Sequence, residues 1–152
     1  MSIDKAVALT ALIGKTLRSI GTEVEENTAM FFECIDGTTF HAGHRSGSMQ
    51  TVYLHEKLGQ DEDILGEPIV HVEEVSGQKE TAQNPSCSST TITLWEIRTG
   101  KGKLILRWHG ESDGGAHISP YLYELDKPLS SDDLEYYGIS FYTNSASLAL
   151  SA

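Results

Sequence analysis

Apolar and polar residues alternate most regularly in the second half of the chain. In KLILRWHG, residues 103–110, Leu104, Leu106 and Trp108 fall on one side of an extended strand, and Ile105, Arg107 and His109 on the other. The first side is expected to face a core. TTITLWEIRT at 90–99 has the same two-residue period, and Gly100–Lys101–Gly102 between the two runs predicts a tight connection. Earlier in the chain, TLRSIGTEV at 16–24, TAMFFECI at 28–35 and TTFHAGHR at 38–45 read as strands. Asp36–Gly37 is the hairpin signal between the last two. TVYLHEKL at 51–58, PIVHVEEV at 68–75 and HISPYLYEL at 117–125 complete the set, with Pro68 suited to a strand start.

The intervening segments carry other signals. Residues 4–14, DKAVALTALIG, suit a helix ending at Gly14 and equally a short strand-like lead-in. QDEDILG at 60–66 predicts a short helical turn or an acidic loop. Residues 76–89, SGQKETAQNPSCSS, have almost no apolar pattern and predict a long exposed loop. Ser130–Ser131–Asp132 before Leu134 is a helix-start signal, so SSDDLEYYG predicts a short helix near the C-terminus. The expected fold class is mainly β (α+β), a curved antiparallel sheet or partly closed barrel with one or two short helices. Residues 1–142 are expected to form one compact β-rich domain, and 143–152 a flexible tail.

Composition narrows the classes of function. A chain of 152 residues with 39% hydrophobic content can build one core. It has no apolar run long enough for a membrane helix, and its N-terminus lacks the basic region of a signal peptide. Two cysteines, Cys34 and Cys87, form no disulfide framework, which fits reduced thiols and a cytoplasmic location. With 22 acids against 11 Lys and Arg, the net charge of −11 disfavours nucleic acid and favours a protein partner with a basic surface. Arg98, Lys101, Lys103 and Arg107 stand as a basic ribbon around Glu96.

The richest candidate chemistry is WHGESDGGAH, where His109, Glu111, Asp113 and His117 could hold a divalent metal or ligand if the chain folded back. The spacing matches no established zinc motif, and the glycines favour a strand connection. His41 and His44, three apart on a strand, should face opposite sides, while His55 and His71 stand alone between apolar neighbours at strand edges. Cys34 lies in an apolar run and reads as an inert buried thiol. Gly100–Lys101–Gly102–Lys103 lacks the length and helix of a phosphate loop. No cofactor is implied. The aromatic and acidic residues Asp132, Asp133, Glu135, Tyr136, Tyr137 and Tyr142 form a candidate partner-binding patch.

GKTLRSI, DGTTFHAGH, VYLHEKLGQDEDILGEPIVHVEEV and KGKLILRWHGESDGG together resemble a family of small uncharacterised bacterial and phage domains, a domain of unknown function. The resemblance spans about residues 12–125 and implies a compact β-rich domain with no catalytic residues to transfer. The expected function is a non-enzymatic, protein-binding accessory or inhibitory factor of bacterial or phage origin, blocking a host defence protein or neutralising a toxin. Two alternatives stand beside it. One is a small metal-dependent enzyme or ligand-binding domain using His109–His117; the other is a self-associating structural component, a homo-oligomer.

Overall fold

The computed structural model describes residues 5–23, 28–43, 50–80, 89–112, 119–126 and 139–143. In chain order its strands are β1 (Lys5–Val7), β2 (Leu17–Glu23), β3 (Ala29–Cys34), β4 (Thr39–Gly43), β5 (Gln50–Leu58), β6 (Ile69–Glu80), β7 (Ser89–Thr99), β8 (Lys103–Ser112), β9 (Tyr121–Glu124) and β10 (Ile139–Thr143). They form a six-stranded sheet, ordered β1-β9-β4-β3-β2-β10, and a four-stranded sheet, ordered β5-β8-β7-β6. Every strand pair is antiparallel.

The mainly β, antiparallel class is thus observed, but the strands divide between two sheets, which corrects the single curved sheet or partly closed barrel. Each sheet buries one apolar face against the other, so the core forms without a closed ladder. Met30, Phe32, Phe40, Ala42 and Leu122 come from the six-stranded sheet. Val52, Leu54, Trp95, Ile97, Leu104, Leu106 and Trp108 come from the four-stranded sheet, in the same buried cluster. Leu104, Leu106 and Trp108 are fully buried, as their shared parity requires. The sheets meet at one corner, where Gly14 N–H donates to Ile69 O (2.8 Å), Ile69 N–H to Lys15 O (2.9 Å) and Gly66 N–H to Leu17 O (3.0 Å).

Within the segment at 4–14 the strand-like lead-in is present as β1, and a single 3-10 turn at Leu9–Leu12 stands where the helix alternative was read. Gly14 follows with φ +88°, a conformation glycine adopts without strain. The acidic segment forms a second 3-10 turn, Asp61–Ile64, whose Ile64 is buried beside Leu65 at the corner. The helix expected at 130–138 lies outside the described residues, as does the tail beyond Thr143. Residues Ile139–Thr143, the last described, pair with β2.

Strands β6, β7 and β8 run further than alternation predicts. β6 continues to Glu80 and β7 starts at Ser89, so both ends of the predicted 76–89 loop are ladder, with Lys79 opposite Thr91 and Glu80 opposite Thr90, while residues 81–88 lie outside the described residues. β8 likewise continues through Glu111 and Ser112, paired on both sides to β5 and β7. The beginning of GESDGG is therefore strand, not turn. Backbone groups pair regardless of side-chain polarity, so a polar segment beside an established strand extends it without an apolar signal. Of the strand expected at 117–125, residues 117–118 lie outside the described residues, and Tyr121–Glu124 forms β9.

Candidate functional site: the outer face of the four-stranded sheet

Alternation that sends Trp95, Ile97, Leu104, Leu106 and Trp108 inward sends their neighbours to the opposite face. Cross-strand pairing places Val75 beside Leu94, Leu94 beside Arg107, and Arg107 beside Glu56. In the next row Glu73, Glu96, Ile105 and Leu58 are neighbours. Val75, Leu94, Ile105 and Leu58 thereby form an apolar diagonal from one sheet edge to the other. Its two ends are open: Val75 is 50% and Leu58 48% exposed, while Leu94 and Ile105 are half-buried.

A histidine cluster flanks this diagonal on the β5–β8 side. A β-bulge between Leu54 and Glu56 leaves His55 without an opposite residue while Leu54 pairs Trp108 and Glu56 pairs Arg107. The extra residue re-aims the strand and lays the His55 ring on His109, centroids 4.1 Å apart and planes within 19°. Tyr53 packs at 5.6 Å from His109. Arg107 Nε–H donates to His109 Nε2 at 3.3 Å, which occupies the lone pair a metal would need. His109 is nearly buried, with 9% exposure.

On the β6–β7 side, His71, Glu73 and Glu96 bring three ligand atoms within 4.8 Å of one another. Glu96 also faces the basic ribbon: Arg98 lies 3.4 Å and Lys103 3.8 Å from its carboxylate, and His71 Nε2 3.8 Å. Two members of the ribbon read from the sequence, Arg98 and Lys103, are thus gathered onto one acid, whereas Arg107 turns to His109. The Gly100–Lys101–Gly102 turn is acidic in its surroundings as well. A Cβ on Gly100 would lie 3.0 Å from Glu67 Oε1, and one on Gly102 3.2 Å from Asp63 Cβ. Phosphate there would meet carboxylates.

Of the metal set proposed from WHGESDGGAH, His109 and Glu111 lie on the outer face of β8, whereas Asp113 and His117 are outside the described residues. Among the described residues His109 meets His55, Tyr53 and Arg107. His55 and His71 do lie on edge strands, β5 and β6, but neither is isolated. His41 stacks between Phe31 (4.8 Å) and Tyr123 (5.8 Å) on the outer face of the six-stranded sheet; His44 is outside the described residues. In the candidate partner patch, Asp132, Asp133, Glu135, Tyr136 and Tyr137 lie outside the described residues, and Tyr142 sits in β10 opposite Ile20. No sequence signal marked the His55–His109 pair, because the bulge that makes it has no motif.

Cys34 is 1% exposed, and burial, aided by the Asp36 charge, pushes its thiol up to about 12. It is no nucleophile at neutral pH. Cys87 lies outside the described residues. Asp36 accepts a hydrogen bond from Lys15 Nζ at 2.7 Å and from Thr38 N–H at 2.8 Å. Lys15, foremost, holds the Asp36 carboxyl down to about 2. Asp36 in turn raises the Lys15 ammonium, chiefly through the same hydrogen bond.

No helix among the described residues is long and apolar enough to cross a membrane. No curated protein and no solved structure matches the chain. One family model does, over residues 10–121, nearly the span of the resemblance read from the sequence. The chain belongs to the family described as a domain of unknown function, DUF7448.

Proposed function

We propose that this chain is a non-catalytic, protein-binding accessory or inhibitory factor that engages a partner with a basic surface. A bacterial or phage setting, with a host defence protein or a toxin as target, is the concrete form of this reading. The observation that carries it is the apolar diagonal Val75–Leu94–Ile105–Leu58, whose ends are open and which is flanked by Glu73, Glu96, Arg107 and Glu56. An apolar centre with a charged rim is the anatomy of a protein contact. The net charge of −11 supplies long-range attraction toward a basic partner, and the diagonal supplies the short-range contact.

The test is capture from bacterial lysate at low and high salt, with wild type and a Val75→Asp/Leu58→Asp variant of unchanged thermal midpoint. A protein held by wild type, weakened by salt and lost with the variant supports the reading. A captured set that is indifferent to both changes overturns it.

A second reading has its own observation. His71, Glu73 and Glu96 offer one imidazole and two carboxylates, a donor set suited to zinc or manganese. Arg98 and Lys103 beside Glu96 oppose a second cation, so the protein-binding reading leads. A thermal upshift with zinc or manganese that Glu73→Gln abolishes would favour the metal; no upshift would remove it.

A further inference from the structure

β6 is an edge strand, so a residue on its core-facing side still reaches the mouth of the space between the sheets. Glu74 occupies that position. Its register partner is Trp95, and the Trp95 indole Nε1–H donates to Glu74 Oε2 at 2.6 Å. Across the mouth stand Val7, Ala8 and Leu9 from the N-terminal segment and Ser119, Pro120, Tyr121 and Leu122 around β9. Together these residues line a cleft of about 240 Å³. Most of the wall is apolar or aromatic. Trp95 is 1% exposed and forms the floor, and Tyr121 is 51% exposed at the rim.

Glu74 is the one charged group among the lining residues. No ion pair neutralises it among the described residues. The indole bond engages Oε2 and leaves Oε1 to a ligand. That bond also holds the carboxylate at the cleft, so little side-chain entropy remains to be lost on binding. A carboxylate fixed between an aromatic rim and an apolar wall suits a cation carried on an alkyl stem. Arginine fits best: its guanidinium pairs with a carboxylate and stacks on an aromatic face, while its methylenes cover apolar surface. The volume lies below the range typical of drug-sized ligands and is of side-chain scale.

We propose that the Glu74–Trp95–Tyr121 cleft is a binding site for a single arginine side chain presented by a protein partner. The site is on the core side of β6, away from the apolar diagonal, and does not depend on that surface being an interface. It is consistent with a basic partner and adds the specific contact that would anchor one.

The experiment follows the indole Nε1–H resonances by NMR in the full chain during titration with acetyl-arginine amide, the Trp95 signal being assigned with Trp95→Phe. A saturable shift of the Trp95 signal in the millimolar range is expected. The neutral isostere acetyl-citrulline amide should give at least a tenfold weaker response. Glu74→Gln should abolish the shift while its amide oxygen still accepts the indole bond, and an unchanged thermal midpoint confirms that the variant is folded. No saturable shift, an equal shift with citrulline, or a shift that survives Glu74→Gln overturns the assignment. Lysate capture that remains sensitive to the Val75→Asp/Leu58→Asp variant would still uphold the sheet-face reading, so the two proposals fail separately.

Discussion

On the outer face of the six-stranded sheet, Phe31, His41 and Tyr123 lie in one cross-strand row and stack ring against ring at 4.8 and 5.8 Å. Phe31 is 3% exposed there, although its neighbours Met30 and Phe32 point the other way, into the core. On the outer face of the four-stranded sheet, the rows mix aliphatic residues with Glu73, Glu96 and Arg107, and the apolar diagonal keeps exposed ends. The first row reads as internal packing, in which each ring has a ring to meet. The second leaves apolar area in water beside groups that favour water. A surface of that kind contributes little to folding and is available for contact with something else.

The largest expected effect separates these two faces directly. Phe31→Ala should lower the unfolding free energy by about 3 kcal/mol, whereas Val75→Ala should stay within about 0.5 kcal/mol. Urea denaturation of both variants measures this, and equal losses would erase the distinction.

A smaller effect concerns the β3–β4 turn at the end of the six-stranded sheet, where Lys15 and Asp36 pair at 2.7 Å with side chains 29% and 49% exposed. The native Asp36 carboxyl lies near 2, below the unfolded value of about 3.9. Its contribution is therefore fully present above the unfolded value and is lost as pH falls through about 2. The Lys15 ammonium is raised, so its share persists below the unfolded value and disappears as pH rises through the native one. Solvent screening holds the pair to at most about 1 kcal/mol. Asp36→Asn keeps an acceptor for Thr38 N–H but removes the charge. It should lower stability at pH 7 and flatten the acid limb of the pH–stability curve; an unchanged limb would show that the pair is inert.

The smallest effect tests whether the four-stranded sheet's outer face is arranged for stability at all. Glu73 and Glu96 are directly opposite each other across β6 and β7, a like-charge pairing that destabilises. In metal-free buffer Glu73→Gln should stabilise by a few tenths of a kcal/mol, about the lower end for cross-strand pairs, and less at high salt. A loss of stability instead would mean that Glu73 is a structural group.

Much of the fold was legible in single residues. Leu104, Leu106 and Trp108 announced a core face by parity, Asp36–Gly37 announced the β3–β4 turn, and Pro68 marked a strand start just before Ile69. The buried, unreactive state of Cys34 followed from its apolar neighbours. The site was less legible. His109 was singled out for its nearness in sequence to Glu111, Asp113 and His117, yet among the described residues its ring stacks on His55, 54 positions earlier. Glu74 looked like one acid among many, because nothing local distinguishes a carboxylate that caps a buried indole.

The sequence by itself determined the centres of most strands and which side of each is apolar, since both depend on a two-residue period and on local turn chemistry. Tertiary structure decided how the strands divide between two sheets, where the ladders outrun the apolar pattern, and which polar groups meet. Those outcomes depend on long-range backbone pairing and on register. A single bulge at His55 changes which side chains are neighbours without changing the composition around it.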